Sequence, residues 1–95
     1  NEPISADDLL AGVAAGTIAI PANINHENLT AYGIGQGLKV KVNANIGTSS
    51  DASDLENELL KLKAAIDYGA HAVMDLSTGG DLDQVMRSIL AQCSV

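Results

Sequence analysis

Between Leu38 and Ile46 the chain reads LKVKVNANI, with Leu38, Val40, Val42, Ala44 and Ile46 in one set of alternate places and Lys39, Lys41, Asn43 and Asn45 in the other. Successive side chains of a strand leave opposite faces, so this spacing predicts a strand with one apolar face and one polar face. Gly47, Thr48, Ser49 and Ser50 follow, and then SDLENELLKLKAAIDYG changes to helical spacing. Ser53 and Glu56 stand in capping-box positions, Leu55, Leu59, Leu62 and Ile66 form one stripe, and Gly69 is the expected stop. AHAVMDL predicts a second strand, STGG a turn, and Leu82, Val85, Met86, Ile89 and Leu90 a last helix behind Asp81 and Gln84. Strand, helix, strand, helix with short connections predicts a parallel α/β arrangement closed by a crossover. Two strands make a weak sheet with open edges, so further strands beyond Val95 are expected and the chain is read as a truncated piece of a larger domain.

Residues 1–37 read as a lead-in, and residues 38–95 as the first two strand-helix units. ISADDLLAGVAAG predicts a short helix capped by Ser5 with Asp8, carrying Leu9, Leu10 and Val13 on its apolar side and Gly16 at its end. Ile18 and Ile20 alternate before Pro21, which suits an edge strand or hairpin arm. Gly33, Gly35 and Gly37 fall at alternate positions, but a dinucleotide fingerprint needs a strand before its glycines and a helix opening on them. Here the strand comes afterwards, so a flexible turn is expected.

The apolar residues are small ones, with two tyrosines and neither tryptophan nor phenylalanine, and the formal charge is −7. A nucleic-acid partner needs a basic footprint and aromatic stacking platforms, so none is expected. No apolar run approaches the roughly 18 residues that span a bilayer, and no basic segment runs into an apolar stretch at the start. A cytoplasmic chain without membrane association is the expectation. Cys93 is the single cysteine, which leaves no disulfide or paired-cysteine metal site within the chain and suggests a small buried hydrophobe.

In parallel sheets and barrels, ligands bind outside the carboxyl ends of the strands. If Leu38, Val40 and Val42 pack on the helices, the polar set faces a barrel interior and Asn45 lies at its mouth. An amide there can hold an imidazole, a pyrimidine or a sugar hydroxyl, or it can satisfy loop backbone. Asn43, deeper in the strand, suits a structural network. The GTSS and STGG stretches could cradle a phosphate or serve as caps. Met74 is a core filler or a ligand contact, and Asp75 an acid-base candidate or a loop organiser. His26 lacks partners at metal-ligand spacing and reads as a turn or interface histidine, so no metal ligand is expected here.

Taken together, IPANINH, VKVNANIG and VMDLSTGG resemble, in this order and spacing, the phosphomethylpyrimidine synthase family of thiamine biosynthesis, from about Gly16 to the end. The resemblance implies a (β/α)8 TIM-type barrel of which this chain would hold the lead-in and first two units. It also implies a radical S-adenosylmethionine lyase acting on carbon-carbon bonds, homodimeric when complete, that converts aminoimidazole ribonucleotide into hydroxymethylpyrimidine phosphate. Its cofactors would be a [4Fe-4S] cluster, S-adenosylmethionine and zinc. Matched residue by residue, Asn45 falls on the family's substrate-binding asparagine and Met74 on its substrate-contacting methionine. The family's three-cysteine motif and metal-binding histidines lie further on, and Cys93 matches none of those cysteines, so the chain alone is expected to be inactive.

GTSSDASD stands where many members carry GNSAVTSS, and STGGD replaces a lysine- or arginine-bearing form. A second reading is therefore the paralogous 5-hydroxybenzimidazole synthase of anaerobic cobalamin lower-ligand synthesis, which uses the same imidazole. A third, of a different class, is a stand-alone α/β binding module.

Overall fold

A computed structural model describes all 95 residues. The elements run α1 (Ala6–Ala15), β1 (Ile18–Ala19), β2 (Ile34–Gly35), β3 (Asn43–Ile46), α2 (Leu55–Asp67), β4 (Ala72–Asp75) and α3 (Leu82–Gln92). They form a small mixed α/β fold with two separate sheets, β1 antiparallel to β2 and β3 parallel to β4. No helix is long and apolar enough to cross a membrane.

Local capping works as the sequence predicts at both ends of α1. The Ser5 hydroxyl accepts from the Asp8 amide at 3.1 Å, and Gly16 takes the left-handed conformation with φ 74°. Its apolar side is a different matter: Leu10 and Val13 are exposed, and no residue of α1 is buried. The turn expected at the alternate glycines is found only at Gln36 and Gly37, because Ile34 and Gly35 form β2. The pairing partner, Ile18–Ala19, lies too far back in the chain for local spacing to reveal it.

The strand expected from Leu38 begins only at Asn43. Its neighbour β4 starts at Ala72, and the amides of His71 and Ala72 both donate to the Val42 carbonyl, at 2.9 and 3.2 Å, which ends the ladder there. Val40 and Val42 consequently stay exposed, whereas Ile46 is buried. The expected packing of Leu38, Val40 and Val42 on the helices is corrected in the same way. That stretch is instead tied to the start of the chain: Glu2 accepts from the Lys39 amide at 2.9 Å and pairs with the Lys41 ammonium.

Those two donors, the Lys41 ammonium first and the Lys39 amide second, hold the Glu2 carboxyl below its ordinary value of 4.5. A depressed carboxyl contributes stability above its unfolded value and loses it as pH falls through the lowered folded value. The chemical shift of the Lys39 amide is expected to titrate with a midpoint below 4.5; a midpoint at or above that value would break the assignment.

Helix α2 is capped by Asp54, one residue after the expected Ser53; its carboxylate accepts from the Glu56 amide at 3.0 Å and from the Asn57 side chain at 2.7 Å. A negative cap also suits the positive end of the helix dipole. Gly69, at φ 86°, turns the chain out of the helix as expected, its amide donating to Ile66. Asp81 caps α3 by accepting from the Gln84 amide at 3.1 Å. Ile46 of β3, Leu62 of α2, and Val85, Ile89 and Cys93 from α3 and its end form the core, with Leu55, Leu59, Ile66 and Val73 packed around it. Both helices therefore cover one face of the β3–β4 pair, and the other face is left to the asparagines.

Candidate functional site

The strand register decides which side chains share that open face. Asn43 lies beside Ala72 and Asn45 beside Met74, while Ala44 with Val73 and Ile46 with Asp75 alternate toward the helices. Neighbouring parallel strands sit about 4.8 Å apart, so Asn45 and Met74 are immediate neighbours on one surface. The Asn43 side-chain nitrogen donates to the Asn45 side-chain oxygen at 2.9 Å. Whichever way this amide pair is turned, it keeps one NH2 group and one carbonyl free to face a ligand. Met74 is 49 % exposed, which removes it from the core and makes its thioether a polarisable apolar surface beside the amides.

The face is open rather than hollow. The cavities of about 230 to 430 Å³ elsewhere on the molecule are lined by other residues. Asp75 and His26 are not brought to it. Asp75 organises its own loop, accepting from the Ser77 amide at 2.9 Å and from the Ser77 hydroxyl. The His26 ring nitrogen Nε2 lies 2.7 Å from the Cys93 carbonyl. His71, which no local signal singles out, accepts from the Val42 amide at 3.0 Å through Nδ1 and meets the Tyr32 ring edge-on, at the opposite end of the strand pair.

Beyond the strand ends, the two connecting loops spend their donors on each other. The Thr48 amide donates to Ser77 Oγ at 3.0 Å, the Thr48 hydroxyl to the Gly79 carbonyl at 2.6 Å, and the Thr78 amide to the Thr48 carbonyl at 2.8 Å. The Ser49 amide is taken by the Ala52 carbonyl. The caps-and-turns reading of GTSS and STGG therefore fits better than a phosphate cradle. Glycine makes the approach possible: a Cβ on Gly79 would lie 2.2 Å from the Ser49 carbonyl oxygen, and one on Gly47 2.6 Å from the Leu76 carbonyl carbon.

Glu58 anchors the same end from below. It is 2 % exposed, accepts from the Gly47 amide at 2.8 Å and pairs with Lys61. A buried carboxylate is tolerable only with such partners. Sequence spacing shows Glu58 as one more acid on a polar helix face, because the orphan amide that it satisfies belongs to another element.

No group of three or more histidine, cysteine, aspartate or glutamate side chains gathers anywhere in the chain. Cys93 is buried, its thiol 3.0 Å from the Val95 carbonyl. An iron–sulfur cluster takes several thiolates and a zinc site several converging ligands, so the donor set of this chain fits neither.

Over residues 1–95 the chain matches the model of the radical SAM ThiC family. Among similar proteins, the phosphomethylpyrimidine synthase of Desulforudis audaxviator is 59% identical over 95 residues, which are 100% of this chain and 22% of that protein. The phosphomethylpyrimidine synthase of Thermus thermophilus is 55% identical over 96 residues, 100% of this chain and 22% of the relative. That of Moorella thermoacetica is 54% identical over 92 residues, 97% and 21% respectively. The chain thus spans about a fifth of the length of these relatives. A match of this extent, running from the first residue to the last, means that the chain belongs to the radical SAM ThiC family.

Proposed function

We propose that the chain is part of a phosphomethylpyrimidine synthase, in which residues 38–95 supply the first two units of a (β/α)8 barrel behind a lead-in of residues 1–37. In this reading Asn45 and Met74 bind aminoimidazole ribonucleotide. The observation that carries it is the register of Asn45 with Met74 on the uncovered face of a parallel pair, at the strand ends where such folds bind ligands. The names of the relatives support the same reaction.

The Asn45 amide can donate to a ring nitrogen or accept from an amine or ribose hydroxyl, while Met74 lays apolar surface beside the ring. Both side chains sit on hydrogen-bonded strands, which fixes the orientation in which the substrate meets the reagent. In the whole enzyme, S-adenosylmethionine with a [4Fe-4S] cluster would supply radical chemistry for the conversion to hydroxymethylpyrimidine phosphate, and neither that cluster nor zinc would be held by residues of this chain. That enzyme works as a cytoplasmic homodimer, and the chain by itself is inactive.

Full-length enzyme carrying Asn45→Ala is expected to show a KM for aminoimidazole ribonucleotide raised roughly three- to tenfold, as the loss of a ligand hydrogen bond implies. Unchanged KM and kcat would remove Asn45 from the site. Identifying the product of the unsubstituted enzyme tests the reaction itself, since a benzimidazole in place of a pyrimidine would transfer the protein to the paralogous synthase.

A further inference from the structure

Thr48 is 2 % exposed and turns every polar group that it has toward the opposite loop. Its amide reaches Ser77 Oγ, its hydroxyl the Gly79 carbonyl, and its carbonyl accepts from Thr78 through both the amide at 2.8 Å and the hydroxyl at 3.3 Å. Asn45 lies three residues before Thr48, and Met74 three residues before Ser77. The hydrogen bonds between the two loops thus converge on Thr48, just past the ends of the strands that carry Asn45 and Met74.

We infer that Thr48 is a positioning residue for substrate binding: by locking the β3–α2 loop to the β4–α3 loop it keeps Asn45 and Met74 in register at the ligand face. The inference rests on the assignment of those two residues to the substrate site. Thr48 itself is buried behind that face and reaches the substrate only through them. Valine at this place keeps the shape of threonine but leaves the Gly79 carbonyl, a part-buried acceptor, without its donor, and water entering to satisfy it loosens the contact between the loops.

The test uses the full-length, cluster-loaded enzyme with aminoimidazole ribonucleotide as the varied substrate. Thr48→Val is expected to raise KM roughly fivefold with kcat changed by less than about twofold, and Thr48→Ser, which restores the hydroxyl, to return KM to within about twofold of the parent. Combining Thr48→Val with Asn45→Ala is expected to raise KM by clearly less than the product of the two single effects, because the part of the Thr48 effect that acts through Asn45 is already lost and only Met74 is left to place. Fully multiplicative effects would overturn the inference and reduce Thr48 to a structural residue. A KM unmoved by Thr48→Val while Asn45→Ala raises it would overturn this inference alone; a silent Asn45→Ala would overturn the substrate site beneath it. Should Thr48→Val fail to fold, Ser77→Ala, which removes the acceptor of the Thr48 amide, is read in the same assay against the same expectations.

Discussion

Leu62→Ala in the full-length protein is expected to destabilise this part of the fold by about 2 to 5 kcal/mol, the range that follows when a buried leucine leaves a cavity its neighbours cannot fill. Leu62 is 1 % exposed and stands at the centre of the core, where α2 meets Ile46 of β3 and Val85 and Ile89 of α3. Few aromatic side chains are present to reach across the gap, since the chain has only two tyrosines and neither tryptophan nor phenylalanine. Leu62→Met, which nearly conserves volume, is expected to cost less than about 1.5 kcal/mol. The measurement is the shift in the denaturant midpoint of the transition that reports on α2. Equal midpoints for the alanine and methionine variants would mean that the packing of α2 on the strands contributes little.

Gly47→Ala is expected to cost about 2 to 4 kcal/mol by a different route, and to damage binding as well. Gly47 has φ 155°, a conformation in which an L side chain is strained. A Cβ there also meets backbone on the neighbouring loop, 2.6 Å from the Leu76 carbonyl carbon and 2.7 Å from the Ser77 nitrogen. Backbone cannot swing aside as a flexible side chain can, so the loops have to separate. Its position two residues beyond Asn45 predicts a raised KM, which Leu62→Ala need not show. Full retention of both stability and KM would mean that the two loops separate without consequence for the site.

The helices were readable because their signals are local. Ser5 with Asp8, Asp81 with Gln84, and the stripe of Leu55, Leu59, Leu62 and Ile66 all act within a turn or two of the chain. Asp54 displaced Ser53 as a cap because adjacent residues can both fill that role, and a carboxylate gains from the helix dipole. Strand extent was less readable. The alternation from Leu38 to Ile46 describes where side chains point once the chain is extended, but a ladder also needs a partner, and β4 supplies one only from Ala72. At the candidate site, the strand pattern leaves Asn45 between a ligand and a loop role and Met74 between the core and a ligand, and their substrate roles come from the resemblance to the family. Thr48 and Glu58 could not be picked out, because each answers a backbone group on another element, Gly79 and Gly47 respectively.

The two ladders share no strand, and what joins them is sparse: Glu2 with Lys39 and Lys41, the Tyr32 ring edge-on to His71, the His26 ring with the Cys93 carbonyl, and the Thr30 amide with the Ser94 carbonyl at 2.8 Å. Fraying of the antiparallel arms therefore breaks no rung beneath the asparagines. The two halves are expected to open as separate units, the amide protons of Ala19, Ile34 and Gln36 being released to solvent while those bracketing Asn45 remain protected.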